Sequence, residues 1–341
     1  MNHRERFISL LAARKADRRG FWKGNPSADA LKAYYPHYGV DTPLKLAQRL
    51  GDDFYWLPAD LVSWKNASGK DVFDHVGKMA GDGQESGPIF AECEDPKEIE
   101  RHDTFPDPET FDLDGYGRLL DEALATGMGV AGGAWSCFYH VVSDYFGMEN
   151  YFCKMHTDPA VVHALTERVV DLFARVNEKV LERYRDKVDC LFMGNDFGTQ
   201  LDLMVSPEHF RAFILPYYKK LFAIAYKYNK PVMLHSCGAI GRVIPDLVDA
   251  GISALHPLQA LAKGMDAESL KQYRNDLLFV GGIDTQWLLP FGTPRQVKEE
   301  VFRIAGLWGD GWVVSPSHEA LLHNVPAANL EAMREAAREL D

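Results

Sequence analysis

The chain has 341 residues, 46% hydrophobic and 25% charged, the balance of a soluble globular protein with room for a large core. A formal net charge of −12 argues against a nucleic-acid partner, which calls for a basic face. No apolar leader opens the chain and no run of about 18 apolar residues occurs, so the expectation is a cytoplasmic protein without a membrane partner. The five cysteines (Cys93, Cys137, Cys153, Cys190, Cys237) lack paired spacing, which in such a chain predicts free thiols.

In chain order, residues 1–50 read as a helical cap without strands, broken at Gly24-Asn25-Pro26-Ser27. Phe54-Tyr55-Trp56-Leu57 is a strand ending at Pro58-Ala59-Asp60. Residues 65–120, polar and rich in Gly, Asp, Glu and Pro, read as an insertion after this first strand, with a small strand at Pro88-Ile89-Phe90-Ala91. From residue 127 the rhythm becomes regular. Strands at 127–131, 190–193, 231–235, 254–256, 277–280 and 312–314 alternate with helices, among them Val161 to Arg185, one opening at Ser206-Pro207-Glu208 with a serine cap and proline in its first turn, about 242–250, and about 294–307. Strand–helix alternation at this spacing predicts parallel strands joined by crossover helices.

With 54–57 and 88–91 the strands number about eight, the count that closes a (βα)8 TIM barrel. The expected organisation is one domain, 1–341: cap 1–50, then barrel 51–341. An open doubly wound sheet is the alternative, and no Gly-x-Gly-x-x-Gly or P-loop follows any strand. A barrel should gather polar groups where its strands end. Asp60 follows the first strand, Asn195 and Asp196 the fourth, His235 and Cys237 the fifth, Gln259 the sixth, Asp284 the seventh and His318 the eighth. Singly, each also fits a turn former or helix cap; together they predict one pocket.

The densest chemistry lies in Pro231-Val232-Met233-Leu234-His235-Ser236-Cys237-Gly238. Alternation puts His235 and Cys237 on one face, about 6.5–7 Å apart along the backbone. An imidazole and a thiolate converging on one point suit zinc if a third ligand arrives from elsewhere. As an isolated pair they equally fit a satisfied histidine and a buried cysteine.

The run Leu234-His235-Ser236-Cys237-Gly238, then Leu255-His256-Pro257-Leu258-Gln259, Gly281-Gly282-Ile283-Asp284-Thr285-Gln286, and His318 with Asn324-Val325-Pro326 and Asn329, resembles the uroporphyrinogen decarboxylase superfamily from about residue 45 onward. Within it the chain is closer to the zinc-dependent methyltransferases that work with corrinoid proteins, such as methylcobamide:coenzyme M and O-demethylase methyltransferases. That resemblance implies a βα barrel, a catalytic Zn2+ held by His235 and Cys237, and a corrinoid cofactor on a partner protein. The third ligand in that branch is commonly a cysteine beyond the eighth strand. No cysteine follows Cys237 here, so His318 takes that place in the expected set, with Glu319 second.

The decarboxylase branch is matched by Asp60 and by His318, eight residues before Pro326. Its N-terminal arginine-rich signature is missing from Arg18-Arg19-Gly20-Phe21-Trp22-Lys23-Gly24, and its tyrosine after Gly-Ala-Pro-Trp is missing where Gly133-Ala134-Trp135-Ser136 stands and His140 follows. A polyanionic porphyrinogen needs several fixed cations. The expected function is therefore zinc-dependent transfer of a methyl group between a small thiol or methyl ether and the partner's corrinoid. Asp60, Asp196 and Asp284 are the expected catalytic or orienting carboxylates, and Asn195, Gln259 and His140 the substrate binders. A metal-free decarboxylase or lyase and a non-catalytic binding protein are the alternatives.

Overall fold

A computed structural model describes residues 1–59, 88–102 and 105–340. Eight parallel strands form its sheet: β1 (Gly20–Phe21), β2 (Phe54–Pro58), β3 (Gly129–Gly133), β4 (Cys190–Gly194), β5 (Val232–His235), β6 (Ala254–His256), β7 (Leu278–Ile283) and β8 (Trp312–Pro316). The ladder runs β1-β8-β7-β6-β5-β4-β3-β2, each strand beside its neighbour in sequence, as crossover helices of one hand require. The two ladder ends meet. Asp53 N donates to Phe21 O at 2.8 Å, and Phe21 N donates to the Asp53 carboxylate at 2.8 Å. This buried carboxylate also takes Arg6 at 2.7 Å and His3 at 2.8 Å, so the closing seam is an ion-pair cluster under the N-terminal helix His3–Ala13.

The fold is thus the expected α/β barrel, but two strand assignments are corrected. Residues 88–91 form a turn: Phe90 is buried against Phe105 and Tyr145, so this apolar run serves aromatic packing rather than a ladder. The missing strand is β1, inside the region read as strandless. Two residues cannot display an alternating pattern, and one of its hydrogen bonds goes to a side chain. The helix Leu113–Leu124, in the second half of the expected insertion, is a regular crossover packed on β2 and β3, its Tyr116 hydroxyl donating to Leu57 O at 2.8 Å. The helices Pro159–Tyr184, Ile244–Ala250 and Pro294–Trp308 match their expected positions, and Ser206 caps the helix at Pro207 as read. No described helix is long and apolar enough to cross a membrane, and all five cysteines are free.

Large side chains fill the barrel interior. Trp22 packs on Phe54 (4.9 Å between ring centroids) and Phe192 (6.3 Å), and Trp135 closes on Phe192 at 5.3 Å. This aromatic column forms the floor beneath the carboxyl ends of the strands. A second, two-stranded ladder joins Asn25–Pro26 to Ala320–Leu321, with Asn25 N donating to Glu319 O at 2.5 Å. The N-terminal segment thereby fixes the backbone of the loop after β8.

Candidate active site

The register of the central strands builds the site. Gly194 at the end of β4 pairs with His235, and His235 pairs with His256 at the end of β6. A Cβ on Gly194 would meet His235 Cβ at 2.6 Å and the Trp135 ring at 2.7 Å, so a side chain is excluded there and Trp135 packs directly on His235. After β5 the chain turns at Gly238 (φ +87°), where a Cβ would lie 2.2 Å from Gly198 O. That close backbone approach explains the glycine of His-x-Cys-Gly.

His235 is buried with both ring nitrogens engaged. Its Nε2 is 3.5 Å from Cys237 Sγ, 3.1 Å from Asp196 Oδ1 and 3.6 Å from Glu319 Oε2; its Nδ1 is 2.8 Å from His256 Nδ1. Asp196 Oδ1 also accepts from Cys237 N at 2.8 Å. His318 approaches Cys237 from the β8 loop, the two ligand atoms lying within 4.8 Å, while its Nδ1 accepts from Ala320 N at 3.0 Å and lies 3.4 Å from Glu319 Oε2. Two donor sets therefore share the Cys237 sulfur: Asp196, His235 and Cys237 on one side, and Cys237, His318 and Glu319 on the other, each within 4.8 Å.

Electrostatics follows from this crowding. Burial opposes charge on His235, but Glu319, Cys237 and Asp196 push it well above the usual imidazole range. Burial likewise opposes charge on His318, yet Cys237 and Glu319 push it up to about 9. Burial would raise Asp196, and the His235 partner and Cys237 N–H outweigh it, holding the carboxyl below its ordinary range. Burial depresses His256, helped by the neighbouring His235, so it is a neutral ring. A proton on His235 thus offsets the neighbouring carboxylates where a cation would do the same.

The cluster opens into a cleft of about 290 Å³ lined by Trp135, His140, Asp144, Asn195, Asp196, His235 and Glu319. A larger groove of about 720 Å³ lies at the opposite end of the barrel, among residues that precede β1, β7 and β8, away from this chemistry.

Of the expected site residues, Asp196, His140, Asn195, His235, Cys237 and His318 come together. His140 Nε2 accepts from Asp196 N at 3.2 Å. Asn195 lines the cleft, but its polar atoms are spent inward: Oδ1 accepts from Tyr139 N at 2.9 Å and Nδ2 donates to the Tyr218 hydroxyl at 2.6 Å. Gln259 Oε1 accepts from Gly238 N at 2.7 Å, bracing the β5 loop. Asp284 is not among the cleft residues; its carboxylate accepts from the backbone N–H groups of Gln286, Trp287 and Leu288 and caps the turn after β7. Asp60 lies outside the described residues. His256, at the end of β6 level with His235, is a further buried polar residue of the cluster that the strand-end pattern alone does not single out.

Residues 40–340 match the uroporphyrinogen decarboxylase (URO-D) family. The chain belongs to this family. A curated relative, the methylated-thiol–coenzyme M methyltransferase of Methanosarcina mazei, is 26% identical over 209 residues. That match spans 59% of this chain and 51% of the relative, about half of the relative's length. A solved structure of a methyltransferase from Methanosarcina mazei superposes with a TM-score of 0.69 over 99% of each chain at 15% identity, so the two share a fold.

Proposed function

We propose that this URO-D family member is a zinc-dependent methyltransferase moving a methyl group between a small thiol or methyl ether and a corrinoid carried by a partner protein. One observation carries the reading: two donor groups, Asp196–His235–Cys237 and Cys237–His318–Glu319, share the Cys237 sulfur beside a cleft at the carboxyl ends of the strands, and His235 Nε2 lies 3.5 Å from that sulfur and 3.6 Å from Glu319 Oε2. The relationship to the Methanosarcina mazei methyltransferase supports the reaction class.

The residues fit the ion. Glu319 Oε2 is buried without a hydrogen-bond partner, yet it faces two imidazoles and lies in a donor set with a sulfur, as an anionic ligand oxygen would. Nitrogen, sulfur and oxygen donors from separate loops are the mixed set that catalytic zinc takes, leaving a position for substrate. His235 and Cys237 are two ligands in this proposal. Glu319 is better placed than His318 for the third, because the Nδ1 of His318 already accepts from Ala320 N. A bound zinc would supply Lewis acidity, making a coordinated thiol a nucleophile near neutral pH or a coordinated ether oxygen a better leaving group.

The chain's own groups do the rest. Asp196 grips Cys237 N–H and the rim of His235, fixing the ligand loop. Trp135 walls the cleft beside His235 and keeps water from that side of the ring. His140 is held neutral chiefly by burial and spends Nε2 on Asp196 N, so it positions the β4 loop and is not a proton donor at that atom.

The test supplies zinc-loaded protein with free methylcob(III)alamin and a panel of thiols, and separately with cob(I)alamin and methyl ethers, while the corrinoid spectrum is followed. Methyl transfer to or from one class, lowered at least about 100-fold in Cys237→Ala, is expected. No spectral change across both panels would overturn the assignment.

A further inference from the structure

We infer that His256 is the positioning residue that sets the tautomer of His235, keeping its Nε2 open toward the cleft. The inference deepens the proposed function and rests on it in taking Nε2 as the metal-facing nitrogen. His256 is fully buried at the end of β6, in register with His235, and the two Nδ1 atoms are 2.8 Å apart. At that distance one nitrogen must carry the proton and the other must be bare, since two lone pairs or two N–H groups repel.

The far ends of the two rings decide which. His256 Nε2 is buried and has no hydrogen-bond partner. Its ring is packed on Phe192 edge-to-face, with centroids 5.3 Å apart and planes at 85°, and on Trp22 at 5.2 Å. Among aromatic rings a buried N–H can still be accepted weakly by a π system, whereas a bare lone pair finds no donor there. The His256 proton therefore belongs on Nε2, its Nδ1 is the acceptor, and His235 donates from Nδ1. That leaves His235 Nε2 for a ligand.

The reverse arrangement fails at both ends. A proton on His256 Nδ1 would leave a bare, buried Nε2 with no donor to satisfy it, and would push the proton of a neutral His235 onto Nε2, into the place a metal needs. The same His256 tautomer also serves without metal, because His235 can then hold a second proton on Nε2 toward Asp196 at 3.1 Å. Metal replaces that proton without rearranging His256. A neutral imidazole acceptor, unlike a carboxylate, fixes the ring plane of His235 without adding negative charge behind it.

The experiment compares the full chain with His256→Leu, which removes the acceptor, and His256→Asn, whose Oδ1 takes the place of Nδ1. Zinc affinity is read by chelator competition, and the His235 and His256 tautomers by long-range 1H–15N spectra of histidine-labelled protein. Expected are a 10–100-fold weaker zinc affinity in His256→Leu, affinity within about threefold of the parent in His256→Asn, and spectra showing His235 protonated at Nδ1 and His256 at Nε2. A His256→Leu protein that binds zinc like the parent overturns the inference, as does a spectrum with the His256 proton on Nδ1. Should His256→Leu not fold, the spectra and His256→Asn still decide. Should the parent bind no zinc, the metal assignment falls, while the spectrum of the zinc-free protein still judges the His235–His256 pair separately.

Discussion

Asp196 Oδ1 stands 3.1 Å from His235 Nε2, the nitrogen that also faces Cys237 Sγ and Glu319 Oε2. Without metal this contact stabilises a proton on Nε2, so Asp196 competes with any metal for that nitrogen. Asp196→Asn should keep the acceptor for Cys237 N–H but weaken hold on the proton. The midpoint of zinc loading, followed by chelator competition from pH 5 to 8, should move down by up to about one unit. A move upward would show that Asp196 is itself a ligand, as the first of the two donor sets allows.

The pH dependence of zinc-free stability has a definite sign. Despite its burial, the folded His235 is held well above the ordinary imidazole value of about 6.5 by Glu319, Cys237 and Asp196, so its contribution is fully present below pH 6.5 and is lost as pH rises through the raised value. His318, pushed up to about 9 against its burial by Cys237 and Glu319, acts in the same direction once its Nδ1 gives up the Ala320 N–H. Chelator-treated protein should therefore melt at a lower temperature at pH 9 than at pH 6, and Glu319→Gln should flatten that slope. Zinc should reverse it, because its ligands must be deprotonated. A zinc-free protein equally stable at both values would contradict the charge cluster described here.

Gly238→Ala should damage the fold and the site together. The residue sits at φ +87°, and a Cβ would press on Gly198 O at 2.2 Å. The expected loss is about 2–4 kcal/mol in denaturant unfolding, with weakened zinc binding as the Cys237 loop shifts. Gln259→Ala removes only the acceptor for Gly238 N and should cost about 1–2 kcal/mol.

Asn195 tests whether a cleft residue acts by holding the scaffold. Asn195→Ala strands the Tyr139 N–H and the Tyr218 hydroxyl, two buried groups, at an expected cost of about 2–4 kcal/mol. If its role is structural, the surviving folded enzyme should keep its KM. A raised KM with unchanged stability would return Asn195 to the substrate-binding role its place after β4 suggests.

The barrel was legible because β3 to β8 are apolar runs separated by helix-length segments, and its carboxyl face was legible because polar residues follow those runs. The ends of the ladder were not. β1 has two residues and closes through the side chain of Asp53, a partnership that no local pattern displays. In the site, His235 and Cys237 could be paired because two positions along a strand is a fixed spacing. Gln259 and Asp284 follow strands just as Asp196 does, yet they brace a loop and cap a turn. Which polar groups are spent on backbone N–H atoms depends on how neighbouring loops meet. The claims of Glu319 and His318 depend likewise on a contact to the N–H of Ala320 that spacing does not encode.

The most direct test is the zinc content of protein purified without chelator, measured for the parent and for Cys237→Ser, Glu319→Ala and His318→Ala, with folding checked by circular dichroism. One zinc per parent chain, loss in Cys237→Ser and Glu319→Ala, and retention in His318→Ala are expected. Loss in His318→Ala with retention in Glu319→Ala would exchange the third ligand. A folded parent that takes up no zinc, or a Cys237→Ser protein that keeps it in full, would contradict the metal centre.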